Sequence, residues 1–387
     1  MIALSSPERS PNSFVLRCEV LRHRSSTSST RRTKRGDALS TTVNTGEQEK
    51  PASAIPGRVV ELPEDATHLV FGMFGVQSRQ SDTNGAFIDT LRAHFRRRHS
   101  PISIERAQYI DPQGYSCDLL LAYWLDREVY RAWSSQPEVA AWWAELPCNR
   151  TSEVGYWREV LSTPKDRFQF GGGGKQRAAS AQFLPLVPSR QFAYWGGYRD
   201  RLATSEFDTF DSPYSTLPAL RLQETKGKRL SVEAPENVCF LREGQGWSAC
   251  VKEERAILAE KIDSVVDQWI AFLRDNPTQT GCFRLRDCRE QDTESGALLE
   301  KRSQFAFLLS LGHIEHAARK QPTHLAVHDT IIRMYKEATF TPKLHLWVEV
   351  HVLPAGAVET EYINCHPQTG FLPYFDAHTI SQSRRLG

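Results

Sequence analysis

Blocks of apolar residues alternate with polar, glycine-rich or proline-rich stretches along most of the chain, and this alternation predicts its secondary structure. Short apolar runs bounded by turn residues predict strands, and apolar positions repeating every three or four residues predict helices. The predicted strands cover residues 61–77, 116–126, 160–170, 192–197, 236–243, 281–287, 303–310 and 344–353. The predicted helices cover residues 83–98, 129–143, 250–275, 312–320 and 323–337. This order of elements predicts the α+β class, with antiparallel sheets in two halves.

Changes in composition predict where the folded part begins and ends. The first 55 residues are rich in serine, threonine and basic residues, and such a stretch cannot bury a core. Up to residue 36 the only acidic residues are Glu8 and Glu19, so a mitochondrial transit peptide is one interpretation and a disordered tail of a cytoplasmic protein is the other. The predicted division is a tail at 1–55, a domain at 56–372 with halves at about 56–170 and 190–372 joined by a hinge at 171–189, and a C-terminal tail at 373–387.

A run of four glycines and a lysine occupies residues 171–175. It lacks the spacing and the Ser or Thr with which a P-loop holds phosphate and magnesium. Glycine-rich stretches between folded units are typical of flexible linkers. We therefore expect a hinge here rather than a phosphate site.

Composition excludes several classes of function. The 387 residues carry a formal net charge of +2, so charge gives no indication of a nucleic-acid or membrane-surface partner. No apolar run approaches the length of about 18 residues that a membrane span needs. The eight cysteines form no C-x-x-C pair, which favours free thiols in a reducing compartment over a zinc site or a disulfide framework.

The stretch QPTHLAVHDTIIRM at 321–334 carries the candidate chemistry. Pro322 fixes its own φ and Thr323 can cap free backbone amides, so together they predict a helix start that aims His324 rigidly. A rigidly aimed imidazole is a candidate ligand for haem iron. A capping or surface histidine is the alternative, and His328 leaves open a zinc site that would still lack a third ligand.

Seven segments, taken together and in this order, are similar to one enzyme family. They are DPQGYSCDLLLAYW at 111–124, AAWW at 140–143, AYWGGYRDRL at 193–202, APENVCFLREGQGWS at 234–248, FLRDNPTQTGC at 272–282, QPTHLAV at 321–327 and EYINCHPQTGFL at 361–372. Through them the chain resembles the haem-dependent aldoxime dehydratases. The resemblance implies a dimeric α+β barrel of two ferredoxin-like halves, with one haem b between sheet and helices. It also implies an aldoxime substrate that binds ferrous iron through its nitrogen and loses water to become a nitrile.

The resemblance assigns roles to individual residues. The histidine of the family's PTH motif falls on His324, which is then the expected proximal ligand of the iron. The second arginine of the family's YWG-x-x-R-x-R run falls on Arg201, where a guanidinium can orient the oxime oxygen or a haem propionate. Arg199, the first arginine of that run, remains open as the functional member.

Three site positions of the family have changed. The acid/base histidine is Val348 in LHLWVEV at 344–350, the distal serine is Glu243, and a carboxylate is Gln169. We expect Glu243, with a pKa raised toward neutrality by an apolar pocket, to donate the proton that the histidine supplied.

Two histidines flank Val348 on the same predicted strand. Because strand side chains alternate, His345 and His351 should face away from the side of Val348 unless a bulge shifts the register. The three changes also support a second hypothesis, a haem protein of the same fold whose reaction has been lost or altered.

Overall fold

An antiparallel sheet of 14 strands and nine α-helices form the part of the chain that the computed structural model describes, residues 57–80, 84–191 and 196–380. The strands are β1 Gly57–Val60, β2 His68–Ser78, β3 Ser103–Ile110, β4 Ser116–Trp124, β5 Gly155–Pro164, β6 Phe168–Gly172, β7 Leu186–Ser189, β8 Arg229–Val232, β9 Val238–Gly246, β10 Cys282–Gln291, β11 Leu298–Leu308, β12 His345–Leu353, β13 Val358–Ile363 and β14 Ala377–Thr379. The helices are α1 Gly85–Phe95, α2 Arg127–Ser134, α3 Pro137–Glu145, α4 Gly197–Asp200, α5 Lys252–Ile257, α6 Asp263–Asp275, α7 Pro277–Thr280, α8 Leu311–Lys320 and α9 Pro322–Glu337. Within these ranges no helix is long and apolar enough to cross a membrane.

The sheet contains two units with the same connectivity. The first unit runs along the chain as β2, α1, β3, β4, α2, α3 and β5. Its strands lie in the sheet in the order β5-β2-β4-β3. The second unit repeats this pattern along the chain as β9, α5, α6, β10, β11, α8, α9 and β12. Its strands lie in the sheet in the order β12-β9-β11-β10. Each is a β-α-β-β-α-β arrangement, and β3 pairs with β10 to join the two. The predicted α+β class is confirmed.

Most of the predicted elements are present, and their altered ends have local causes. The predicted helix at 129–143 is split into α2 and α3 because Gln136 is extended, with ψ of 133°, and Pro137 has no amide hydrogen to continue the helix. The predicted strand at 160–170 contains the ends of β5 and β6, which a turn at Lys165–Arg167 separates. The sequence locates such elements better than it locates their ends.

Elsewhere the structure differs more strongly from the predicted elements. The pattern does not predict β3, because Glu105 and Arg106 give its centre the appearance of a polar loop. The predicted helix at 250–275 is present as α5 and α6, with a π-helical turn at Leu258–Ile262 between them. For the strand predicted at 192–197, residues 192–195 lie outside the described residues, and the chain is helical in α4 immediately afterwards. The predicted tail at 1–55 also lies outside the described residues.

The expected hinge begins inside a strand. Gly171 pairs with Val348 and Gly172 pairs with Trp347, both as part of β6 beside β12. A Cβ atom added to Gly172 would lie 3.2 Å from the Phe170 ring, so this glycine allows close packing. The first two glycines of the run therefore belong to the sheet, and the proposed division into halves stays a prediction. Within the predicted C-terminal tail, β14 pairs with β8.

The second unit's strands have two different faces. One face turns toward a core shared by both units, which includes Phe71, Leu121, Phe240, Phe305 and Trp347. The other face carries Leu241, Ala306 and Val350 and packs against helices through Trp269 and Leu273. Because neighbouring residues of a strand point to opposite faces, successive positions in β9 and β12 serve different purposes.

A largely buried ion network lies on the shared-core face. Arg242, with no exposed surface, donates to Glu105 at 2.6 Å, to the Tyr123 hydroxyl at 2.7 Å and to Glu290 at 3.0 Å. Lys301 pairs with the same two carboxylates. These contacts join β3 and β4 of the first unit to β9, β10 and β11 of the second.

Replacing Arg242 by alanine is expected to lower the free energy of unfolding by about 3–5 kcal/mol, because two buried carboxylates lose a partner. Arg255, which pairs with Glu300 at the surface, is the matched control, and its replacement by alanine should cost far less, because solvent screens an exposed ion pair. Urea unfolding of both variants measures the difference. Equal losses would show that the buried network contributes no more than a surface pair.

Candidate active site

We define the cleft as the partly covered apolar surface formed by Val327 and Ile331 of α9 and by Leu346 and Val348 of β12. All four side chains are apolar and half-buried. Val327 and Val348 border one apolar cluster, and Ile331 and Leu346 border the next one. Strand β12 lies inside the sheet, between β9 and β6. Apolar side chains on an interior strand are usually covered completely by the elements that pack on the sheet. Partial cover on both walls is what a site for a flat apolar group requires.

His324 stands at the start of α9, where the sequence places it. Its Nδ1 lies 2.8 Å from the Ala318 carbonyl oxygen, and a carbonyl can only accept, so Nδ1 carries the hydrogen and Nε2 the lone pair. Burial lowers the pKa of His324 to about 4, which keeps the imidazole neutral at pH 7. The Trp269 ring meets it edge-on, with ring centroids 4.8 Å apart. A neutral imidazole anchored through Nδ1 is the usual state of a metal-ligating histidine.

The zinc alternative gains no third ligand from the fold. His328 lies on the same helix, and its Nδ1 is 3.2 Å from Asp329. In residues 57–80, 84–191 and 196–380, no group of three His, Cys, Asp or Glu side chains is placed to hold a bare metal ion. The pair His324 and His328 therefore does not make a zinc site with other described residues.

Arg201 follows α4 and reaches the sheet. Its Nε donates to Gln169 Oε1 at 2.7 Å, and its Nη1 donates to the Gln191 carbonyl. Its guanidinium also lies over the Tyr198 ring, 4.8 Å from the ring centroid. Arg199 is held elsewhere, because it pairs with Glu315 of α8 at 3.0 Å. The fold therefore places Arg201, and not Arg199, against Gln169.

Glu243 and Val348 are direct neighbours across the β9–β12 pair. Register partners point to the same face of a sheet, so the carboxyl group of Glu243 shares the side of the cleft with Val348. Glu243 also lines a small cavity that is otherwise mostly apolar, with Trp269 and Leu241 among its walls. Burial raises the pKa of Glu243 to about 7. Since Arg242 is buried in the ion network on the opposite face, it does not pair with Glu243.

Gln169 of β6 lies on the same face of the sheet as Glu243 and Val348, in the next cross-strand row on that face. It pairs with Val350 of β12, which in turn pairs with Leu241 of β9. Gln169 is 95 % buried, since only 5 % of its surface is exposed. Its Oε1 accepts from Arg201, while its Nε2 is buried with no hydrogen-bond partner in the described part of the chain. An unsatisfied buried donor is rare in folded proteins and requires an explanation.

Two further histidines lie on the other face, as the alternation of side chains predicts. His351 Nδ1 is 2.7 Å from the Thr163 hydroxyl, and its ring packs beside Phe168 with centroids 4.8 Å apart. His345 packs against Trp347. Because Trp347 and Phe168 belong to the shared core, the expectation that both histidines face away from the side of Val348 is confirmed.

Tyr198 and Trp269 were not singled out by the sequence. Tyr198 lies beside both Arg201 and Glu243: burial raises its pKa to about 12, Arg201 acts in the opposite direction, and Glu243 raises it further. Trp269 contacts His324 and also lines the cavity beside Glu243. Aromatic residues are common throughout the core, so the sequence offers no signal that separates these two from the rest.

These residues fit a haem group. His324 presents a neutral, anchored imidazole at the helix wall, and the cleft walls are apolar and incompletely covered. The sheet wall adds Arg201, Gln169 and Glu243, which are polar groups able to contact a bound ligand. A single histidine ligand with an apolar cleft suits a porphyrin better than a bare ion.

Comparisons with known proteins agree with this geometry. The sequence model of the haem-containing dehydratase family matches residues 72–371. The chain is 34% identical over 324 residues to the phenylacetaldoxime dehydratase of Bacillus sp. (strain OxB-1), covering 83% of this chain and 92% of that protein. It is 29% identical to the aliphatic aldoxime dehydratase of Rhodococcus erythropolis, covering 81% and 88%. A crystal structure of an aldoxime dehydratase in complex with butyraldoxime is similar in fold, with a TM-score of 0.75 and 28% identity over 82% of this chain and 89% of that chain.

Proposed function

Because this chain belongs to the haem-containing dehydratase family, whose sequence model matches residues 72–371, we propose that it is a haem-dependent lyase that converts an aldoxime into a nitrile and water. The observation that carries the proposal is the arrangement around the cleft. A neutral, anchored His324 stands on the helix wall, and Arg201 and Glu243 stand on or beside the sheet wall. The relatives named for aldoxime dehydration support the substrate class.

The proposed roles follow from the chemistry of each side chain. His324 holds the haem through Nε2, and bound haem supplies an iron able to hold the oxime nitrogen. Arg201 orients the oxime oxygen with its charged N–H donors. Glu243, protonated up to its pKa of about 7, donates a proton to the departing hydroxyl group, which leaves as water. The carbon-bound hydrogen leaves as a proton to solvent, since Val348 and Gln169 cannot accept it, and Glu243 regains a proton from solvent.

The finer features of the proposal rest on the family resemblance. We propose haem b in the ferrous state, a homodimer, and a cytoplasmic location. Size-exclusion chromatography with light scattering tests the homodimer. A pyridine haemochrome spectrum of the purified protein tests the type of haem.

Two experiments test the function itself. An absorption spectrum with a Soret band that survives dialysis is expected from the purified protein, because His324 would hold the haem. Dithionite-reduced protein, incubated without oxygen with aliphatic and aryl aldoximes, should release the corresponding nitriles. A stable Soret band without nitrile from any aldoxime would instead favour the second hypothesis, an altered reaction on the same fold, which Val348, Glu243 and Gln169 motivate.

Replacing Arg201 by alanine is expected to leave haem content largely intact and to lower turnover of an aldoxime by roughly 10²-fold or more, the scale for losing a positioned polar group. Arg199→Ala is the matched control, since Arg199 contacts Glu315 instead of Gln169. Steady-state rates normalised to haem measure both. A larger loss in the Arg199 variant would transfer the role to that residue.

A further inference from the structure

The side-chain amide of Gln169 offers a hydrogen bond that no described residue accepts. Its Nε2 is buried, while its Oε1 is occupied by Arg201 at 2.7 Å. Leaving a buried N–H unsatisfied is costly, so such a group is expected to meet an acceptor atom of water or of a ligand that replaces the water. The ligand atom must be an acceptor, because the amide nitrogen can only donate.

The pairing with Arg201 indicates which acceptor fits. Gln169 supports the guanidinium through a neutral oxygen, so this contact does not neutralise the positive charge of Arg201. A carboxylate at position 169 would neutralise that charge and repel an anionic ligand. An amide donor beside a guanidinium is a suitable environment for a carboxylate, which has two oxygens to accept both hydrogen bonds.

This subsite lies close to the proposed reaction centre. Gln169 and Val350 form one cross-strand pair, and Glu243 and Val348 form another two residues further along β12. Gln169 on β6 and Glu243 on β9 lie on the two strands that flank β12. Two strand spacings and two residues along the strand place their Cα atoms roughly 12 Å apart. Both side chains are long, so one small molecule between them can reach both.

We infer that the chain also takes 2-(hydroxyimino)carboxylates, oximes that carry a carboxylate where an aldoxime carries hydrogen, and converts them into a nitrile, carbon dioxide and water. The inference rests on the proposed function, since both kinds of substrate present the same oxime group to the cleft. Gln169 and Arg201 bind the carboxylate. Glu243 donates its proton to the oxime hydroxyl.

The atoms and electrons of this step balance. The bond between the oxime carbon and the carboxylate breaks, and its electron pair becomes the third bond between carbon and nitrogen. The nitrogen–oxygen bond breaks, and its pair leaves with the hydroxyl, which takes the proton of Glu243 and departs as water. Glu243 then regains a proton from solvent, so the sum is one oxime acid and one proton giving nitrile, carbon dioxide and water. No oxidant or reductant is consumed.

The changed residues of the sheet wall suit this substrate. An aldoxime must lose its carbon-bound hydrogen to a base, and Val348 and Gln169 cannot accept a proton. A 2-(hydroxyimino)carboxylate loses carbon dioxide in place of that hydrogen, so it requires an acid and no base. Glu243 supplies the acid.

The test compares two substrates that give one product. Phenylacetaldoxime and 2-(hydroxyimino)-3-phenylpropanoate both yield phenylacetonitrile, and the second, labelled with ¹³C in its carboxylate, also yields labelled carbon dioxide. Reduced holoenzyme is expected to form nitrile from both and labelled carbon dioxide from the acid. If the aldoxime is consumed and the acid is not, the inference is overturned while the proposed function stands. If neither is consumed, both fail.

Variants test the assigned subsite. Gln169→Glu should lower the ratio of kcat/KM for the acid to kcat/KM for the aldoxime by about tenfold or more, because a charge-assisted bond becomes a repulsion. Gln268→Glu, which adds the same charge on the exposed side of α6, should keep the wild-type ratio. An unchanged ratio in Gln169→Glu protein with full haem content would show that Gln169 does not bind the carboxylate.

Equilibrium binding gives a readout that does not depend on turnover. Calorimetric titration of wild-type holoenzyme should show tighter binding of 3-phenylpropanoate than of 3-phenylpropanamide, which has the same shape without the charge. In Gln169→Glu protein this preference should disappear or reverse. Equal affinity for the two compounds in the wild type would contradict a carboxylate subsite.

Discussion

A His324→Ala protein is expected to fold and to lose stable haem binding. Three features indicate His324 as the ligand: the PTH motif, the contact of Nδ1 with Ala318, and the lowered pKa that keeps the imidazole neutral at pH 7. Alanine removes the imidazole that would hold the iron, and the apolar cleft alone would then hold the porphyrin. The side chain is only half-buried, so the fold should survive its loss.

The haem-to-protein ratio after desalting, with circular dichroism to verify folding, measures this effect. His328→Ala is the control, because it removes an imidazole from the same helix without touching the Ala318 contact. If His324→Ala protein kept full haem occupancy and an unchanged ferrous carbonyl spectrum, another residue would have to be the ligand. Imidazole added to the variant should restore haem binding if only the axial bond is missing.

Glu243→Gln is expected to lower aldoxime turnover by roughly 10²–10⁴-fold, the usual contribution of a positioned general acid. Glutamine keeps the size of the side chain and cannot deliver the proton. Glu260→Gln, at an exposed position in the π-helical turn, is the matched control and should be silent. A nearly neutral Glu243→Gln variant would remove this residue from the mechanism.

The pH profile tests the same role with a definite sign. Burial raises the pKa of Glu243 to about 7, so the carboxyl group is protonated below that pH and ionised above it. An acid catalyst works in its protonated form; activity should therefore be full below about pH 6 and fall as pH rises through 7. Tyr198 also faces this carboxyl group, and its own pKa is raised to about 12 by burial, so it should not titrate near pH 7. Activity that rises through this range would contradict the assignment.

Restoring the family's histidine gives a further test of the same pocket. Val348→His places an imidazole directly across from Glu243 on the neighbouring strand. Aldoxime dehydration should increase if the pocket lacks only a group that accepts the carbon-bound proton. No increase, together with inactivity of the wild type on every aldoxime, would exclude the dehydratase proposal.

The sequence predicts the element types well because local patterns determine them. Several strands, among them β3, β8 and β13, are not predicted, and for β3 the reason is a long-range interaction. Glu105 makes the segment look solvent-exposed, yet its partner Arg242 lies 137 residues away and makes the burial of that charge possible. A local pattern carries no information about such a partner.

The candidate site shows the same limit. His324, Arg201 and Glu243 can be named from short motifs. The contact of Arg201 with Gln169 and the placement of Val348 opposite Glu243 depend on strand register, which the sequence of one strand does not specify. The orphan amide of Gln169 is likewise visible only once its neighbours are in place.

The alternation of Arg242 and Glu243 has a consequence for how such an enzyme can change. Arg242 belongs to the buried ion network, while Glu243 borders the cleft, and the same separation holds for Trp347 and Val348. A substitution at a cleft position therefore alters chemistry without disturbing the charges that join the two units. Mutations can accumulate on one side of a strand while selection for folding acts on the other. A protein family with this sheet can therefore acquire new reactions by substitutions at the residues of a strand that face the cleft, while the residues between them preserve folding.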